Sequence, residues 1–176
     1  MPLIVQFLIS SSRAMYWIKS SSYSASSILK SELDGNNPVT LVTGLRSAWG
    51  IAIDFLSQRL YWADNYYFGA NKIQSSDLQG LDVRTVFQVS DGKEPHPYGV
   101  AVVGNRIYWS IVHSGRLQSG NKSGGQIITH YNSTISLWNL AVVPSIDMPR
   151  NHINHCAGHN CQKVCVLTAT SSRCLG

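Results

Sequence analysis

The sequence predicts an all-β protein built from repeated four-stranded units, and three observations carry the prediction. The dipeptide Tyr-Trp recurs at Tyr16-Trp17, Tyr61-Trp62 and Tyr108-Trp109, at intervals of 45 and 47 residues, each time after an apolar residue. Two further landmarks keep phase with it. Ile28, Ile73 and Leu117 follow the tyrosines and are themselves followed seven positions later by Gly35, Gly80 and Gly124, while AWGIAID, PYGVAVV and LWNLAVV begin at Ala48, Pro97 and Leu137. Finally, no stretch keeps an apolar 3.6 period over eleven residues, so helices should be nearly absent.

Within a unit the strands read in order. GIAID, GVAVV and NLAVV are short apolar runs suited to strands buried on both faces, and RLYWA and RIYWS are aromatic-rich second strands. They are joined by VGNR, whose Gly104-Asn105 tolerates positive φ in a tight hairpin, or by the longer FLSQR. SSILKSEL and NKIQSSDL are half-polar third strands that end at glycines, and VTLV and RTVF are short outer strands. Four strands in roughly 45 residues make one blade of a β-propeller. The first twelve residues read as a strand rather than a signal peptide, because they lack a cationic start.

Composition removes several function classes. The 176 residues are 44% hydrophobic and 13% charged, which argues for a packed core and against disorder. The net charge of +5 comes from fourteen scattered Lys and Arg that form no run or stripe, so nucleic acid is not an expected partner. No apolar run is long enough for a membrane span. The four cysteines, Cys156, Cys161, Cys165 and Cys174, all fall in the last 21 residues, as in a disulfide-held module; His155 and His159 among them leave a zinc site as the weaker reading. Sequons at Asn121 and Asn132 suit the same oxidising, secretory route.

These units resemble the YWTD, or class B, repeats of the low-density lipoprotein receptor family. NKIQSSDLQG matches the family's third strand and glycine, and the tail cysteines resemble the EGF-like module that follows such propellers. The resemblance implies an incomplete propeller, about three of six blades, over residues 1–143, with blades near 3–47, 48–96 and 97–136 and a closing strand at 137–143. It further implies a linker at 144–155 and a truncated EGF-like module at 156–176, with disulfides Cys156–Cys165 and Cys161–Cys174. An open half-ring of this kind should self-associate or be poorly soluble. Only one unit keeps the family's aspartate, Asp64; Lys19 and Ile111 stand in its place, so those units should be tied less firmly.

The same resemblance implies an extracellular, non-catalytic module of an endocytic receptor-related protein, exposed to the secretory and endosomal route, with a protein or lipoprotein ligand and a single-pass parent. A co-receptor for Wnt, a nidogen-like matrix module, and a truncated remnant without its own function are the alternatives. Tyr16, Trp17, Tyr61, Trp62, Tyr108 and Trp109 are expected to pack between blades, and Asp54 and Asp64 to cap or link strands. Trp49, Tyr98, Trp138 and His96 are the candidates for a ligand face, since they lie just before or within the start of the inner strands and aromatics suit binding hot spots. His96, His113 and His130 are where the family's ligand release at endosomal pH would be sought. No cofactor or metal is expected: the stretch before Cys156 lacks the acids that calcium needs.

Overall fold

The computed structural model describes residues 8–9, 14–22, 25–65, 71–89, 96–132, 134–141, 164–167 and 172–175. Among them there are strands and turns but no helix. Three four-stranded antiparallel sheets follow one another along the chain. Sheet one holds β1 (Leu8–Ile9), β2 (Ala14–Ser22), β3 (Ala25–Glu32) and β4 (Val39–Leu45). Sheet two holds β5 (Ser47–Asp54), β6 (Arg59–Asn65), β7 (Lys72–Asp77) and β8 (Arg84–Gln88), and sheet three β9 (Pro97–Val103), β10 (Arg106–Ile111), β11 (Arg116–Asn121) and β12 (Ile128–Tyr131). In each the strand order is the chain order, as in a propeller blade. A separate ladder pairs β13 (Val164–Leu167) with β14 (Ser172–Leu175).

The Tyr-Trp dipeptide is the joint between sheets. Successive strand residues point to opposite faces, so Tyr16 and Tyr61 face the following sheet and Trp62 and Trp109 the preceding one. Tyr16 shares a buried cluster with Ile51, Leu60, Trp62 and Leu78 of sheet two, and its hydroxyl donates to the Leu78 carbonyl at 3.5 Å. Tyr61 shares the next cluster with Val100, Ile107 and Trp109 of sheet three. The inner strands alternate likewise: Ile51 and Ile53 belong to the first cluster and Ala52 to the second. Such strands are buried on both faces, which is why they read as continuous apolar runs. Trp62 and Trp109 are completely buried, whereas Trp17 is only half-buried.

Glycines sit where backbones touch. A Cβ on Gly50 would collide with the Tyr98 carbonyl, and one on Gly99 would stand 2.7 Å from the Leu140 nitrogen. The innermost segments therefore stack in contact, 47–54 on 97–103 and 97–103 on 139–140. The glycines that close the third strands make one recurrent turn: Gly35, Gly80 and Gly124 have φ of 84°, 79° and 90°, and their N–H groups donate to the carbonyls of Glu32, Asp77 and Asn121 at 3.0, 3.2 and 2.9 Å. The Gly104-Asn105 hairpin pairs Val103 with Arg106 directly, while Asp54 and Arg59 are joined by four residues.

One expected element differs. Residues 137–141, the described part of the expected closing strand, carry no strand; Leu137 and Leu140 are buried against Ala101, Tyr108 and Leu117, yet among the described residues no neighbouring strand offers the segment a hydrogen-bonding edge. Cys156 and Cys161, the linker at 144–155 and most of 156–176 lie outside the described residues. Cys165 and Cys174 are backbone register partners in the terminal ladder.

A candidate ligand-binding rim

The three aromatics that open the inner strands come together at one end of the sheets. Trp49 stacks on Tyr98 with centroids 4.4 Å apart and planes at 27°, and Tyr98 meets Trp138 edge-on at 5.4 Å and 83°. Trp49 and Tyr98 are half-buried and Trp138 is 57% exposed, so the ladder forms a continuous apolar strip open to solvent on one side. Burial pushes the Tyr98 phenol above its ordinary value. The Trp49 indole Nε1 donates to Ser47 Oγ at 3.0 Å, which fixes the ring's tilt.

A repeated β-bulge aims these rings. In sheet two, Ala48 pairs with Asp64 and Ile51 with Trp62, leaving Trp49 and Gly50 opposite the single residue Ala63. In sheet three, Pro97 pairs with Ile111 and Val100 with Trp109, leaving Tyr98 and Gly99 opposite Ser110. Two residues against one kink the strand and redirect a side chain. Here the aromatic is turned onto the rim while the adjacent glycine lets the next inner segment approach.

Asp64 anchors the same end. Its Oδ1 accepts the backbone N–H groups of Arg46 and Ser47, both at 3.0 Å, where the chain passes from sheet one to sheet two. Burial raises its pKa, partly offset by those two bonds. Ile111 replaces it in sheet three, but Ser110, one residue earlier, accepts the Gly99 N–H at 2.9 Å, and Val112 N–H donates to the His96 carbonyl at 3.2 Å. Sheet three is thus tied by a hydroxyl and a backbone bond in place of a carboxylate. Nothing in a bare Tyr-Trp-x-x motif comparison points to Ser110, since it lies one position out of register with the aspartate.

The other candidate residues divide. His96 is half-buried beside the ladder and meets His113 edge-on at 5.2 Å. His130 lies elsewhere, its Nε2 2.6 Å from Ser119 Oγ, and burial with the Arg106 charge holds its pKa below the ordinary value. Of the sequon asparagines, Asn132 is exposed, whereas half-buried Asn121 caps a turn, its Oδ1 accepting from Ser123 N at 3.0 Å and Ser123 Oγ at 2.8 Å. Trp109 Nε1 donates to its register partner Gln118 at 3.1 Å; the equivalent pair in sheet two, Trp62 and Gln74, leaves Nε1 and Oε1 unpartnered. Among the described residues no group of three His, Cys, Asp or Glu converges as a metal site would require, and no helix is long and apolar enough to cross a membrane.

No protein-family model matches the sequence. The chain is similar to the human low-density lipoprotein receptor-related protein 5, with 29% identity over 153 residues, 84% of this chain and 9% of that protein. It is also similar to the vitellogenin receptor of Solenopsis invicta, with 29% identity over 143 residues, 77% of this chain and 7% of that protein. The chain therefore spans less than a tenth of these curated relatives. Among solved structures, a chain of a nidogen/laminin complex aligns with a TM-score of 0.64 and 21% identity, covering 76% of this chain and 50% of that one. A gluconolactonase from Xanthomonas campestris aligns at 0.61 with 18% identity, covering 77% and 49%. At such identities the structural likeness speaks for the fold alone, which a chain of the nidogen/laminin complex and a gluconolactonase share. The relatives bear out the resemblance to the low-density lipoprotein receptor family read from the Tyr-Trp units.

Proposed function

Proceeding from a chain similar over 84% of its length to a low-density lipoprotein receptor-related protein, we propose that it is a non-catalytic, extracellular recognition module that takes a protein or lipoprotein ligand on the Trp49–Tyr98–Trp138 rim. The stacked ladder carries the reading: sheet two, sheet three and the segment that follows sheet three deliver one aromatic each to the same edge, and the last of them is 57% exposed. Rigid aromatics lose little side-chain entropy on binding and dominate interface energetics. The carboxylate at this end, Asp64, is committed to two backbone N–H groups. An acid/base role there is accordingly not part of the proposal.

In the same reading the three sheets are three blades of a six-bladed ring, residues 137–143 become the closing strand where a further blade supplies the hydrogen-bonding edge, and the tail is an EGF-like segment with Cys156–Cys165 and Cys161–Cys174 bonded. Asn132 is the better glycan acceptor of the two sequons because it is exposed. A matrix-binding variant of the same rim is the alternative reading.

The test is surface plasmon resonance of the chain against vitellogenin, low-density lipoprotein and laminin. Saturable binding to at least one is expected, weakened at least tenfold in Trp138→Ala with an unchanged melting temperature. Binding to none, or binding insensitive to both Trp138→Ala and Trp49→Ala, would sink the proposal.

A further inference from the structure

At the end of the sheets opposite the aromatic rim, a cavity of about 470 Å³ opens between sheets two and three. Arg59 and Arg84 of sheet two and Lys122 of sheet three reach it, with the hydroxyls of Ser57, Ser75 and Thr85 beside them. The repeat shows how unusual this joint is. Counting 45 residues back from Arg59 and Arg84 gives Ala14 and Val39, and the position equivalent to Lys122, five residues after the third-strand apolar landmark, is Leu78. Between sheets one and two, Ala14 and Leu78 are buried in the shared cluster, Leu78 with 6% of its surface exposed. Three apolar positions in one joint are three cations in the next. The first joint keeps one cation, Lys30, but it lies over the Tyr16 ring, 5.5 Å from the centroid.

Two carboxylates attend the three cations. Asp54, buried, holds Lys122. Asp82 bridges Arg59 at 3.0 Å and takes the Arg84 fork through two bonds, Nε to Oδ1 at 2.7 Å and the second nitrogen to Oδ2 at 2.6 Å, yet its side chain is 43% exposed and that of Arg84 66%. Water screens a pair this open, so the fork is accessible to a competing anion. Arg59 is held more firmly: it also donates to Ser75 Oγ at 3.0 Å and to the Asp82 carbonyl at 3.1 Å. The group carries a net single positive charge, and Asp82 occupies the guanidinium fork that a stronger anion would take.

We propose that this cavity binds a tetrahedral oxyanion ester, sulfate or phosphate, carried on a small polyhydroxylated body such as a sugar. The planar forks of Arg59 and Arg84 match the oxygens of such an ester, the ester displaces the exposed Asp82 carboxylate, and Lys122 supplies field from the opposite sheet. The hydroxyls and the Asn105 amide face the sugar body, and the volume lies within the range of small-molecule sites, roughly 300–1,000 Å³. The site is independent of the aromatic rim and would give the module a second ligand at its far end.

Calorimetric titration of the full chain with N-acetylglucosamine 6-sulfate, N-acetylglucosamine 6-phosphate and unmodified N-acetylglucosamine tests the assignment. At least one ester is expected to bind tenfold or more tightly than the parent sugar, and the tighter of the two identifies the source. Arg84→Val, which installs the residue of the first joint at an exposed position, should weaken that ester at least tenfold without changing the melting temperature. Asp82→Asn, which removes the competing carboxylate, should tighten it severalfold. Equal binding of all three sugars, no saturable binding, or an ester affinity unmoved by Arg84→Val would overturn the site; weaker binding in Asp82→Asn would do the same.

Discussion

Asp54 ends the inner strand of sheet two and is the residue through which a single carboxylate serves both a turn and a joint. Its Oδ1 accepts Leu56 N–H at 3.1 Å and Ser57 N–H at 3.3 Å, and its Oδ2 engages the Ser57 hydroxyl and Lys122 of sheet three. Burial pushes its pKa up, but the Lys122 and Ser57 bonds outweigh burial and hold it below the ordinary 3.8. A carboxyl with a depressed folded-state pKa stabilises above its unfolded value, and that contribution is lost as pH falls through the lower, folded one. Urea unfolding should therefore show stability declining as the pH drops below about 4, with Asp54→Asn about 1–3 kcal/mol less stable at pH 7 and flatter below pH 4. An Asp54→Asn profile parallel to the parent's would remove Asp54 from this role. Expecting Asp54 as a strand cap needed only its place before FLSQR; its Lys122 partner, 68 residues away, was not legible from local sequence.

At the scale of the element, the informative unit is the opening of each inner strand: aromatic, glycine, apolar run. The aromatic and glycine occupy a two-against-one bulge, so a pattern that reads as an ordinary buried strand contains a bend that decides which residues reach solvent. The glycine is required by contact rather than by conformation. Gly99→Ala places a methyl 2.7 Å from Leu140 N and 2.9 Å from the Asn139 backbone, atoms that cannot move without parting two stacked segments, and should cost about 3 kcal/mol or more, the upper end for overpacking. Gly44, with φ of 75° and open space around its Cβ position, provides the contrast: Gly44→Ala should cost only the left-handed penalty, roughly 1–2 kcal/mol. Comparable losses for the two variants in chemical denaturation would contradict the stacking argument.

For the whole molecule, sheet two is the keystone. Its Trp62 belongs to the cluster shared with sheet one and its Tyr61 to the cluster shared with sheet three, so the three sheets are coupled through adjacent residues of a single strand. Trp62→Ala should cost about 3–5 kcal/mol and turn one unfolding transition into two, while Trp17→Ala, at a half-buried position, should cost clearly less and leave the transition single. Calorimetry distinguishes the two patterns, and equal destabilisation would refute the assignment of forward and backward faces.

The sequence by itself determined the repeat, the all-β class, the order of the strands and the aromatics that open the inner ones, because each of these is a periodicity of two or of about 45 residues and survives in one dimension. Only the tertiary structure decided that Trp49, Tyr98 and Trp138 stack into one ladder, that Ser110 takes over the work of the missing aspartate, and that Arg59, Arg84 and Lys122 meet across a joint that is apolar one repeat earlier. The ladder and the cationic joint bring different sheets together by the stacking of inner strands, and the Ser110 bond depends on a bulge inside sheet three; local pattern carries no record of which face meets which or of where a strand bends.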